Sequence, residues 1–126
     1  MNSITISLRL PADELSPNSR CHWTDKADAT KAARDISYIE TVAMMARRPA
    51  PRWDRAMTQC VFYYKTACRH DPDNSLASCK AYFDGLVDAH LLADDAGLGH
   101  YPVIIKKDKN KPRVEITITK QEIKND

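Results

Sequence analysis

The sequence predicts an α+β domain: a single small mixed β-sheet of about four strands with two main helices packed on one face, in the order β-α-β-α-β-β. Three observations carry that expectation. Segments near both ends alternate apolar and polar residues with period two. Two stretches between them bring apolar residues back at helical spacing. Prolines and polar clusters separate these segments. A chain of 126 residues fits one domain, 1–126, with a real core.

Ile4-Thr5-Ile6-Ser7-Leu8-Arg9-Leu10 alternates cleanly and reads as a half-buried strand, which Pro11 stops. Ala12 to Trp23, interrupted by Pro17, Asn18 and Ser19, reads as a loop. Thr24 is the expected N-cap of the first helix, with Asp25 in its first turn. Ala29, Ala32, Ala33, Ile36, Ile39 and Ala43 form its apolar stripe, and the helix runs to Arg47 before Pro49 and Pro51 forbid continuation. Met57 to Thr66 is rich in aromatic and β-branched residues and reads as a second strand. A second helix is expected from Ser75 to His90, with Leu76, Cys79, Phe83, Leu86 and Val87 facing inward. Val103-Ile104-Ile105 is the third strand and Val114-Glu115-Ile116-Thr117-Ile118-Thr119 the fourth. Asp108-Lys109-Asn110-Lys111 between them suits a hairpin tip.

Hydrophobic residues make up 43% and charged residues 29%, the balance of an ordinary globular chain, and three glycines are too few for a loop-dominated one. A net charge of +2 proves no nucleic-acid partner, but the charges are segregated. Lys106-Lys107-Asp108-Lys109-Asn110-Lys111-Pro112-Arg113 is strongly basic, as is the group Arg47, Arg48, Arg52 and Arg55. The acids gather between Asp71 and Asp95. A basic surface around an acidic pocket suits a polyanion with a metal held between. The runs taken alone also fit a solvated loop and a lysine-rich hairpin. Cys21, Cys60, Cys68 and Cys79 include no CxxC pair, so their spacing supports no zinc site. No apolar run reaches the length of a membrane span and the N-terminus lacks a signal-peptide core. A cytoplasmic protein with reduced thiols is expected.

The chemistry centres on Arg69-His70-Asp71-Pro72-Asp73-Asn74. Pro72 keeps Asp71 extended just where a helix is about to begin. Acids are favoured at a helix start without any function, and Asp73 or Asn74 would serve as N-cap. Helix phase, at about 100° per residue, sets Asp73, Ala77, Lys80 and Asp84 in one narrow arc. Lys80 then either pairs with Asp84 on a solvated face or neutralises a phosphate beside a carboxylate-held metal. Asp94-Asp95 follows the second helix. Pairing of the third strand beside the second would return Asp95 to the sheet edge. Carboxylates converging there would repel one another without a cation. Hard oxygen donors favour Mg²⁺, with Mn²⁺ as a substitute. Such a metal activates water and stabilises charge developing on a phosphodiester.

These motifs, with Lys80-Ala81-Tyr82-Phe83-Asp84-Gly85-Leu86 and Leu92-Ala93-Asp94-Asp95, resemble the RusA family of Holliday-junction resolvases, mostly phage or prophage endonucleases. Asn18-Ser19-Arg20-Cys21-His22-Trp23 is similar to the family's N-terminal loop, and Pro112-Arg113-Val114-Glu115-Ile116-Thr117-Ile118 to its last strand. The resemblance covers nearly the whole chain. It implies a homodimeric, Mg²⁺-dependent endodeoxyribonuclease that nicks four-way DNA junctions symmetrically, in DNA recombination and repair. Its acidic ligands carry over to Asp71, Asp73 and Asp95, with Asp94 in reserve, and its catalytic lysine to Lys80. The family's best-known pattern places that lysine nearer the asparagine, where this chain has Ala77; here it comes one helical turn later. That shift leaves open a branched-DNA-binding protein of phage origin that is weak in cleavage or lacks it, and a phosphohydrolase of small nucleotides is a third reading. Two symmetric nicks require two sites related by a two-fold axis, and one domain supplies one. Arg20, His22, Arg69, His70, Lys106, Lys107, Lys109, Lys111 and Arg113 are candidate phosphate contacts. Trp23 would stack on exposed bases or pack in the core.

Overall fold

The computed structural model describes residues 1–66 and 70–122. The chain runs through strand β1 (Ser3–Leu8), helix α1 (Trp23–Met45), strand β2 (Ala56–Tyr64), helices α2 (Pro72–Ala77) and α3 (Lys80–Asp88), then strands β3 (Leu98–His100), β4 (Ile104–Lys107) and β5 (Arg113–Lys120). The strands form one mixed sheet, so the protein is α+β. β5 lies between β1 and β2 and is antiparallel to both. The other edge of β2 carries β3 and β4, both parallel to it.

The period-two pattern becomes cross-strand rows. Ile6, Ile116 and Cys60 stand side by side, as do Ile4, Ile118 and Thr58, and Leu8, Val114 and Phe62. All nine are buried, so one face of the sheet is the floor of the core. The opposite face is polar, with hydroxyl pairs Ser3–Thr119 and Thr5–Thr117 crossing from β1 to β5 at 3.2 and 2.9 Å. Above the buried face, α1 packs on α3 along Ala33, Ser37, Thr41 and Met45. Gly85 makes this approach possible: a Cβ there would lie 2.6 Å from the Arg34 carbonyl oxygen and 2.7 Å from Ser37 Cβ. The Ser37 hydroxyl donates to the Tyr82 carbonyl at 2.6 Å, so the seam is polar yet satisfied.

The structure departs from the sequence expectation in five places. Among the described residues the sheet has five strands rather than four, because β3 and β4 both run along β2 with Pro102 between them. Proline has no N–H to give a ladder. β4 and β5 form no hairpin, since they flank β2 on opposite edges. The turn chemistry at 108–111 is local: Asp108 Oδ1 accepts the Asn110 and Lys111 N–H groups whichever strands pair. α1 is capped by His22 rather than Thr24, its Nδ1 accepting the Thr24 N–H. Its inward stripe follows the i, i+4 ridge of Ala33, Ser37, Thr41 and Met45, which leaves Ala32, Ile39 and Ala43 of the expected stripe exposed. The expected second helix is divided between α2 and α3. Ser78 Oγ donates back to the Asn74 carbonyl at 2.8 Å, and the Cys79 N–H reaches only to Leu76, three residues back, so the ladder tightens there.

No helix among the described residues is long and apolar enough to cross a membrane.

Candidate active site

Asp71 is held where the chain passes from β2 into α2. The Tyr64 ring stacks on His70 at 3.5 Å between centroids, and the Tyr64 hydroxyl bonds Ser75 Oγ at 2.6 Å. Asp71 is extended, with φ −79° and ψ 117°, as the following proline demands. It is the N-cap of α2, displacing Asp73 and Asn74 from that role. Its Oδ1 accepts the N–H of Asp73 at 2.9 Å and of Asn74 at 3.3 Å, and among the described residues Oδ2 has no backbone partner. Pro72 occupies the first helical turn, where a missing N–H costs nothing.

Asp73 and Lys80 line one open groove of about 390 Å³ with Leu76, Ala77, Phe83 and His100. An adjoining groove shares Asp73, Leu76 and His100 and continues over Tyr101, Pro102 and Val103. Asp73 sits in the first turn of α2 and Lys80 opens α3, so the break between the helices sets their relation. Lys80 Nζ lies 3.7 Å from Asp84 Oδ1, and its side chain is 79% exposed. The ammonium is therefore only loosely engaged.

Asp94 and Asp95 are fixed by a contact the sequence does not advertise. Trp53, nearly fully buried, bridges to Leu92: its N–H donates to the Leu91 carbonyl, and its own carbonyl accepts from Ala93. Asp94 then caps a short 3-10 turn, Asp95–Gly97, by accepting the Ala96 N–H at 3.3 Å. The two carboxyl groups share a hydrogen bond, which together with the Ala96 N–H holds Asp94 below its ordinary pKa. The same bond, then the charge of Asp94, raises Asp95, while the charge of Lys80 draws it back. Among the described residues no three His, Cys, Asp or Glu side chains stand together as a closed ligand group, so Asp71, Asp73, Asp94 and Asp95 do not form one.

The candidate phosphate contacts divide. Arg20, His22, Lys106, Lys107, Lys109 and Lys111 are exposed. His70 is half-buried in its stack on Tyr64, and Arg69 lies outside the described residues. Arg113 is occupied internally: it pairs with Asp108 and Glu115, each at 2.8 Å, and covers the Tyr63 ring at 3.8 Å. Trp23 is 74% exposed beside His22, at the start of α1, and takes no part in the core.

His100 is the groove residue that sequence motifs miss. No spacing rule singles it out. Only the parallel pairing of β3 with β2, which sets His100 opposite Thr58, brings it to Asp73 and Lys80.

Compared with known proteins, the chain matches no family model. A protein of Xylella fastidiosa (strain Temecula1 / ATCC 700964) described as "Uncharacterized protein" is 39% identical over 121 residues, which cover 91% of this chain and 75% of the relative. The chain belongs to that protein's family. That relation brings no activity with it.

Proposed function

We propose that this protein is a Mg²⁺-dependent, structure-specific endodeoxyribonuclease of the RusA type, which resolves four-way DNA junctions by paired symmetric nicks in recombination and repair. The observation that carries this reading is the groove lined by Asp73 and Lys80.

The donors suit Mg²⁺ in kind. Asp71, Asp73 and Asp95, with Asp94 in reserve, offer carboxylate oxygens, and Asp71 keeps one oxygen clear of its capping bonds. The contact with Asp94, and then its charge, raises Asp95 from its ordinary value, as expected of two adjacent acids. Bound among these residues, Mg²⁺ would supply an activated water and stabilise charge on the phosphodiester. The chain's own groups do the remaining work. The loosely held Lys80 ammonium neutralises phosphate charge, and the exposed Arg20, His22, Lys106, Lys107, Lys109 and Lys111 bind the DNA backbone.

Two nicks require two copies. The outer face of α1 offers a surface for a second copy of this chain: Tyr38, Ile39 and Val42, adjacent at helical spacing, are 44%, 60% and 42% exposed.

A second reading is a branched-DNA-binding protein without cleavage. It is favoured by the absence of a closed ligand group among the described residues and by the Lys80–Asp84 pair. A labelled synthetic four-way junction, incubated with and without Mg²⁺, separates the two. Paired symmetric cuts that vanish in chelator support the nuclease. Tight binding without cuts supports the second reading, and neither binding nor cutting removes both.

A further inference from the structure

Thr58 lies on the buried face of β2 and is fully enclosed. Among the described residues its hydroxyl has two partners, His100 Nδ1 at 2.6 Å and Cys60 Sγ at 3.8 Å. A buried hydroxyl donates its hydrogen. An imidazole nitrogen is a far better acceptor than a thiol sulfur, and the Cys60 thiol, which burial pushes up to about 11, keeps its proton and acts as a donor towards Thr58. The direction of the chain is therefore fixed: Cys60 Sγ–H to Thr58 Oγ1, then Thr58 Oγ1–H to His100 Nδ1. His100 must carry its own hydrogen on Nε2. Burial holds the imidazole below its ordinary pKa, so this neutral form prevails at pH 7.

The rest of the ring's setting is equally specific. It packs on Phe83 with centroids 4.4 Å apart, which limits its rotation. Gln59 Nε2 donates to the Pro102 carbonyl, and the Tyr101 N–H to the Thr58 carbonyl, so the backbone after His100 is pinned to β2. The residue is nevertheless exposed and lines both adjoining grooves with Asp73. A fixed, neutral N–H donor beside a carboxylate and a lysine suits an oxygen of a phosphodiester.

We propose that His100 binds substrate directly, its Nε2–H donating to a phosphate oxygen in the groove of Asp73 and Lys80. This contact rests on the phosphodiester reading above. A purely structural role, pinning the sheet edge through Thr58, is the alternative that the test must separate.

Long-range proton–nitrogen NMR on the intact protein reads the tautomer of His100. The expected state has hydrogen on Nε2, and hydrogen on Nδ1 overturns the proposal. A dithymidine phosphodiester is then titrated in. Movement of the His100 Nε2 signal supports the contact, and an unmoved signal overturns it. In cleavage of a four-way junction, His100→Leu should slow single-turnover cutting on the order of tenfold, the effect of one hydrogen bond to a charged group. His100→Gln, which keeps an N–H donor, should recover most of that loss. Equal rates in wild type and His100→Leu sink this contact and leave the nuclease standing. A wild type that cuts no junction, while its His100 signal still answers the dinucleotide, sinks the nuclease and leaves the contact standing.

Discussion

Gly85→Ala tests the helix crossing that sets the position of α3, and with it Lys80. The added Cβ would lie 2.6 Å from the Arg34 carbonyl oxygen, 2.7 Å from Ser37 Cβ and 2.8 Å from Ser37 Oγ. Comfortable carbon contacts lie at about 3.5–4.0 Å, so the helices must part by roughly 1 Å. Neither a backbone carbonyl nor a Cβ can swing aside. Overpacking of this kind costs about 1–3 kcal/mol, and immovable neighbours place the cost near the top of that range. Separation also stretches the buried Ser37–Tyr82 bond, worth about 1 kcal/mol. Alanine's better helix propensity returns about 1 kcal/mol. The net loss should be about 2–3 kcal/mol, or roughly 10 °C in Tm for a domain of this size. Circular-dichroism melts and urea titrations read both values. An unchanged or higher Tm would show that propensity dominates and that α1 and α3 do not approach as closely as described.

Other predictions follow from the same contacts. Asp73→Asn should reduce junction cleavage at least a hundredfold while leaving junction affinity within about threefold, measured by gel shift beside a cleavage assay; retained cleavage removes Asp73 from the site. Asp88 accepts two bonds from Arg34, at 2.5 and 2.7 Å, and the guanidinium holds its carboxyl below the ordinary range. A depressed carboxylate stabilises the fold above its ordinary pKa, and that contribution disappears as pH falls through the folded value. Urea midpoints should therefore show a small deficit for Asp88→Asn at pH 7 that closes below about pH 4; a gap that widens in acid contradicts the pairing. The double change Ile39→Asp and Val42→Asp should turn a dimer into a folded monomer in light scattering, and a wild type that is already monomeric refutes the α1 face as a self-association surface.

The sheet was more legible than the helices, for a physical reason. Period-two alternation marks a strand buried on one side, and Ile4, Ile6 and Leu8 opposite Ile118, Ile116 and Val114 kept that pattern without compromise. Helical spacing identified α1 but not its buried face. Ser37 and Thr41 face inward because Gly85 admits a close crossing, and no local pattern announces a glycine three elements away in sequence order. The hairpin expectation failed because turn chemistry is local while strand pairing is not. At the candidate site, the DPDN motif showed that Asp71 enters extended. It could not show that Asp71 itself would take the cap, since Asp73 and Asn74 are equally competent by residue type. Trp53 and His100 carried no motif at all. Each matters through a β-pairing made across dozens of residues.

The break at Ser78 and Cys79 gives the site its arrangement. An unbroken helix would place Asp73 and Lys80 almost two turns apart along one rigid ridge, the spacing fixed by helix pitch alone. The tightened ladder after Ala77 uncouples them: α2 is placed by its Asp71 cap and the Tyr64–Ser75 bond, whereas α3 is placed by Gly85 on α1. Asp73 therefore answers to the sheet and Lys80 to the helical layer. The groove they line is the seam between those two layers, closed at its third side by His100 from β3. A lysine displaced in sequence can still serve the same groove, because what positions it is the α1–α3 crossing rather than its distance from Asn74. That makes the later position of Lys80 compatible with a phosphate-facing role, and it locates the sensitivity of such a role at Gly85 and Ser37, neither of which touches the groove.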